Sequence, residues 1–186
     1  RRPLHMVMAR GTLPSFQGHC IDGAQTRLTI TSECLDRNRT IWQLGGQIAE
    51  QGVNSSPEDL VRHAVAELKA TLPSIDVDSL EFATYRIDRA ERKSRLGMRP
   101  DSPQIQRVQN VITCWPTKLA FAPRVAEKIA HLLKSELQIP GTNPDWAPAR
   151  PADWTIPAVA QAPWEQDLTW YNGAGMPQET PLAKAG

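Results

Sequence analysis

The order of strand-like and helix-like runs constrains this chain most. Residues 4–9 form an apolar run with Met and Val. Residues 27–32 are rich in Thr and Ile and alternate in polarity, and residues 40–44 form a third run that stops at Gly45-Gly46. A helix then follows over residues 57–72. Ser56 suits the N-cap, Pro57 suits the first helical position, and Asp59 completes a pattern like a capping box. Leu60, Ala64, Leu68 and Leu72 recur every four residues and make one buried face, and Pro73 ends the helix. A long strand is expected over residues 80–90 and a shorter, more buried one over 108–114. A second helix is expected over 118–137, with Ala122, Val125, Ala126, Ile129 and Leu133 facing inward. Several strands then a helix, twice over, without strand–helix–strand alternation, predicts an α+β fold with a mixed or antiparallel sheet and two main helices.

The chain changes character at Pro140. Residues 140–186 hold eight of the sixteen prolines and four of the six tryptophans. Prolines at that density prevent regular helix or central strand. Trp146, Trp154, Trp164 and Trp170 argue against simple disorder, which is poor in aromatic residues. The expected organisation is an α+β region over 1–137 and an irregular Pro/Trp-rich arm over 138–186. The arm pins its rings on a surface of this chain, of another domain or of another subunit, and offers a route to homo- or hetero-oligomers.

A length of 186 residues suits one domain with an appendage and allows a real core. The net charge of +1 gives no global pull toward nucleic acid or an anionic membrane. No run approaches the roughly 20 apolar residues of a membrane span, and Arg1-Arg2 opens no signal-peptide pattern. Three cysteines, Cys20, Cys34 and Cys114, are an odd and sparse set, which favours a reducing compartment and a cytoplasmic protein. The chain opens with Arg rather than Met, the mark of a processed chain or of a piece of a longer one.

Two segments carry most of the chemistry. Gly97-Met98-Arg99-Pro100 sets a fixed charge in an irregular stretch, where the planar guanidinium can take both oxygens of a carboxylate. Sixteen residues after Arg99, Trp115-Pro116-Thr117-Lys118-Leu119-Ala120-Phe121-Ala122-Pro123 turns into a helix, whose free N–H groups and partial positive charge suit an anion or an electron-rich ring. Read alone, Arg99 also fits a surface arginine paired with Asp101 or Glu91, and the second segment also fits an ordinary strand-to-helix turn.

Together with Gly45-Gly46-Gln47-Ile48-Ala49-Glu50-Gln51-Gly52, these segments resemble, in order, three blocks of the D-amino-acid-oxidase-like FAD-dependent oxidoreductases, the group of glycine and sarcosine oxidases. The resemblance covers residues 1–135 and corresponds to the C-terminal, substrate-domain half of that family. It implies that Arg99 binds the substrate carboxylate. It implies too that the backbone of Trp115, Pro116, Thr117, Lys118 and Leu119 faces the flavin of FAD, with Lys118 adding a cation that tunes it. The implied activity is hydride transfer from a C–H beside the amine of a small amine or amino acid. No general base is assignable, because the substrate amine can enter deprotonated.

This chain departs from the family in two places. Many members carry glycines where it has Pro116, Thr117 and Lys118, and Pro116 has no N–H to offer. After Arg99 it reads Asp101-Ser102-Pro103-Gln104-Ile105-Gln106, shorter than the family segment and without its glycines. No Gly-x-Gly-x-x-Gly fingerprint occurs, so the FAD-gripping half is expected upstream or on another chain. The alternative reading is a non-catalytic binding or subunit-assembly module that has lost the cofactor.

Other groups read more plainly. Gly45-Gly46 and Glu50 fit a backbone role. His19-Cys20 has no third ligand at metal spacing, so no metal site is expected. His63 and Glu67 read as a solvated pair on the first helix. His131 reads as a half-buried or surface group. The basic stretch Arg86, Arg89, Arg92, Lys93, Arg95 and Arg99 lacks the interleaved aromatic residues that stacking on nucleic acid needs.

Overall fold

Pairing of the early strands with a later one builds the main sheet. In this computed structural model, which describes residues 1–23, 25–89, 102–115, 118–135, 153–156 and 158–178, the chain groups into two units. One comprises Arg2–Arg89 with Ala160–Gly186, the other Ala90–Val159 with Arg1.

The first unit contains β1 (Arg2–Gly11), β2 (Gly18–Asp22), β3 (Gln25–Cys34), β4 (Thr40–Gly45), β5 (Glu81–Arg89) and β8 (Trp170–Tyr171). They form one six-stranded sheet in the order β2-β3-β4-β1-β5-β8, with every pairing antiparallel. The antiparallel form of the α+β expectation therefore holds. Strand β1 lies between β4 and β5, so the chain's first strand is central and needs two distant partners. Its register sets Val7 opposite Leu44 and Thr84, and Met8 opposite Gln43 and Ala83.

Successive residues of a strand point to opposite faces, and the sheet uses both. One face carries Val7, Ala9, Leu28, Ile30, Trp42, Leu44 and Phe82 against α1 (Gln47–Gln51) and α2 (Pro57–Thr71). Helix α2 begins as its sequence predicts: the Ser56 hydroxyl accepts from Asp59 N–H at 3.1 Å, and Pro57 occupies the first turn. It buries Leu60, Val61, Ala64, Val65 and Leu68, each worth up to ~1.5–3 kcal/mol for the larger side chains. The buried stripe is wider than the four-residue spacing suggested, because a helix on a sheet covers more than one row. The helix ends at Thr71, ahead of Pro73.

The opposite face carries a second cluster of Met8, Ile41, Ala83 and Trp170, with Tyr85, Trp164, Leu168 and Leu35 packed on it. The part of the arm over 164–171 thus seats on the sheet of this same chain. Trp170 and Tyr171 extend the edge of β5, pairing with Ala83 and Phe82. The Asn172 side chain then accepts from the N–H groups of Ala174 and Met176 and folds the following turn. Trp164 is half-buried and Trp154 is 64% exposed; Trp146 lies outside the described residues.

The second unit contains β6 (Gln104–Val108), β7 (Val111–Trp115) and α3 (Ala122–Ser135). Here the expectations need several corrections: the strand expected to be buried is not, with Val108 and Val111 58% and 65% exposed, and of the inward set on α3 Val125 is buried whereas Ala122 and Ala126 are exposed. The single strand over 108–114 is instead the second half of a hairpin, with Val108 paired to Val111 across Gln109-Asn110. Gln109 takes φ 53°, a conformation for which Gly or Asn is the usual signal, so the sequence carries no obvious turn mark. The helix expected from residue 118 begins as a 3-10 turn, Leu119–Phe121, and becomes α-helical only at Ala122. Pro123 explains this. Inside a longer α-helix its ring would meet the carbonyl four residues back, but it is tolerated in the first turn.

Candidate functional site

Strand β7 ends at Trp115, which pairs with Gln104 of β6 and is half-buried. Three residues on, Lys118 is exposed and its carbonyl accepts from Phe121 N–H at 2.9 Å, which closes the 3-10 turn. Two cations lie near the Phe121 ring: Lys118 Nζ is 5.8 Å from its centroid and Arg124 Cζ is 5.7 Å. Both distances sit near the outer range for cation–π attraction, so the ring orients the cations weakly.

The electrostatics of this turn run against helix rules. The first turn of α3 has no acidic residue, and Lys118 and Arg124 add positive charge where the helix is already partly positive. Each cation so placed disfavours the helix by ~0.3–1 kcal/mol. Proteins break such local rules at functional sites and compensate for them elsewhere. The donor set suits an anionic or electron-rich group, which is the character of a reduced flavin ring, so these residues fit the cofactor that the family resemblance implies.

Of the other residues assigned from sequence, Arg99, Pro116 and Thr117 lie outside the described residues. Leu119 opens the 3-10 turn. The structure thus brings Trp115, Lys118 and Leu119 into one strand-to-helix connection.

The glycine block is structural. Gly46 caps α1 with φ 83°, and a Cβ there would stand 2.7 Å from the Thr26 carbonyl oxygen. Glu50 forms an ion pair with Arg2 at 2.8 Å. Glu67 of the expected His63–Glu67 pair is held chiefly by Arg27, through two bonds of 2.5 and 3.1 Å, with His63 a lesser electrostatic neighbour. That guanidinium holds the Glu67 carboxyl below the usual carboxylate range. Arg86 leaves the basic stretch for a structural task, donating to the carbonyls of Val53 and Ser55 at 2.5 and 3.3 Å. His131 is exposed. Among the described residues no group of three or more His, Cys, Asp and Glu could hold a metal, and no helix is long and apolar enough to cross a membrane.

Two features escaped the sequence. His5 is 2% exposed, with Nδ1 3.1 Å from the Gly52 carbonyl oxygen, and burial lowers its pKa. On the sheet face away from the helices, the Tyr85 hydroxyl donates to Gln43 Oε1 at 2.6 Å. Burial raises the Tyr85 pKa, so its hydroxyl stays protonated and able to donate. Neither pair could be found without the strand register, since the partners are 47 and 42 residues apart.

No protein-family model matches the chain. Over 168 residues it is 36% identical to a probable FAD-dependent oxidoreductase of Pseudomonas aeruginosa, a match covering 89% of this chain and 42% of that protein. The crystal structure of an FAD-dependent oxidoreductase from the same organism is similar, with a TM-score of 0.74 and 34% identity over 89% of this chain and 45% of the other. The chain therefore spans less than half the length of the relative it matches.

Proposed function

We propose that this chain is the substrate-binding and flavin-closing part of an FAD-dependent oxidoreductase acting on an amine or amino acid, of the D-amino-acid-oxidase-like kind. The observation that carries this reading is the similarity over 168 residues to an FAD-dependent oxidoreductase. The cationic strand-to-helix turn at Lys118 and Arg124 supports it independently. The dinucleotide fingerprint is absent from these 186 residues, so the FAD-gripping half belongs to polypeptide upstream or to another chain. We place the assembled enzyme in the cytoplasm, on its sparse cysteines.

When bound, FAD supplies the hydride acceptor. The chain's own residues do the rest. Arg99 fixes the substrate carboxylate through its planar fork and so orients the C–H beside the amine. Lys118, Arg124 and the start of α3 would supply positive charge to a bound flavin and would favour its reduced, electron-rich form. No general base is assigned, because the substrate amine can enter without its proton.

The test is the full-length protein purified from its natural source. Flavin absorbance in the visible, and a mass well above 20.7 kDa, are expected. In that protein Arg99→Ala raises KM for carboxylated amines by roughly 10- to 150-fold, the equivalent of about 1.5–3 kcal/mol for a hydrogen bond to a charged group. Plain amines lose far less. Equal losses for both substrate types remove the anchoring role. A colourless protein of 20.7 kDa removes the enzyme reading and leaves a binding or assembly module.

A further inference from the structure

The sheet face opposite α1 and α2 carries a run of neutral polar groups that the proposed function leaves unused. Side chains opposite one another across antiparallel strands share a face. The registers therefore set Thr31, Gln43 and Met8 in one row, and Thr29, Gly45, Met6 and Tyr85 in the next. Tyr85 on β5 and Gln43 on β4 have β1 between them, about 10 Å across two inter-strand spacings. The tyrosine ring bridges that gap diagonally, and its hydroxyl meets Gln43 Oε1 at 2.6 Å.

This bond fixes which end of the amide faces outward. With Oε1 engaged, Gln43 Nε2 presents two N–H donors, and among the described residues nothing accepts from them. The Tyr85 oxygen keeps its acceptor capacity. Thr31 is exposed beside Gln43, and Thr29 leans over Gly45, where an added Cβ would stand 2.6 Å from its hydroxyl oxygen. The Thr29 hydroxyl and the Met6 methyl fill the space that a side chain at Gly45 would take. The charges on this face include the Arg10–Glu81 ion pair at 2.7 Å and Glu33, which lies opposite Ile41 and two residues along β3 from Thr31. A carboxylate on this ledge would lose water and meet the Glu33 charge, and an ammonium group could not accept from the Gln43 N–H donors, whereas an amide or hydroxyl would gain hydrogen bonds.

We propose that Tyr85, Gln43 and Thr31 form a recognition ledge for an uncharged hydrogen-bonding group, a carboxamide or hydroxyl, at the non-reacting end of a small ligand. The ledge rests on the sheet register, and the amino-acid form of the ligand rests on the function proposed above.

Calorimetric titration of the full-length protein with racemic glutamine, glutamate and norleucine tests it. The three share a backbone and differ at the end of the side chain. Glutamine is expected to bind more tightly than the other two by about 3- to 10-fold, the range of one neutral hydrogen bond. Gln43→Leu removes that advantage and leaves norleucine unchanged. Thr31→Val, at an exposed position that does not threaten folding, reduces it in part. Equal binding of all three ligands, equal weakening of all three by Gln43→Leu, or no binding of any overturns the ledge. The visible spectrum of the same sample separates the two ideas. A flavin-free protein that still prefers glutamine keeps the ledge and loses the oxidoreductase reading. A flavoprotein without the preference loses only the ledge.

Discussion

Replacing Trp170 by Ala releases the arm from the sheet. Trp170 is 9% exposed, packs with Met8, Ile41 and Ala83, and carries the Arg10 guanidinium over its ring at 3.5 Å. Truncating a buried tryptophan costs about 3–5 kcal/mol. Arg10 is also bound to Glu81, so the lost cation–π contact contributes at the low end of its range, about 0.5–1 kcal/mol, within that total. The loss falls on a short strand, since β8 has two residues on the edge of β5. It therefore appears as local opening before global unfolding. Amide hydrogen exchange over residues 163–178 of the full-length protein reads it directly. At a tenfold change for every 1.4 kcal/mol, exchange there accelerates by roughly a hundredfold or more, up to the rate of unstructured chain, while β1 and β4 keep their protection. An Arg10→Met, Trp170→Ala cycle isolates the cation–π share. A change below about tenfold would refute the argument that this ring is what holds the arm.

Two further outcomes follow from backbone and burial. Gly46→Ala lowers stability by about 1–3 kcal/mol, because φ 83° disfavours any side chain and the new Cβ meets the Thr26 carbonyl; a urea unfolding series that shows no loss contradicts this. Burial depresses the His5 pKa below its unfolded value of about 6.5, so the unfolded chain takes up the proton first. Stability is then full above that value and falls as pH drops through it toward the folded pKa, and His5→Gln flattens the slope in thermal melts taken between pH 7 and lower pH.

Local signals in this chain are reliable where one residue's chemistry is enough. Ser56, Pro57 and Asp59 start α2, and Pro123 limits where α3 can begin. Gly46 stands where only glycine fits. Each of these acts over a few bonds, so the sequence records it. The hairpin at Gln109-Asn110 escaped because the residue that takes the positive φ is a glutamine. Glu67 was paired with its helical neighbour His63, four residues away, when its partner is Arg27 on a strand 40 residues earlier.

By itself the sequence determined the α+β class, the capped helix, the glycine turn and the positively charged approach to α3. Only the tertiary structure decided that the first strand is central, that Trp170 closes the far edge of the sheet, and that Tyr85 meets Gln43 over β1. Those contacts depend on register. A shift of one residue would turn each side chain to the other face, and the packing of the whole sheet, rather than any short motif, holds the register in place.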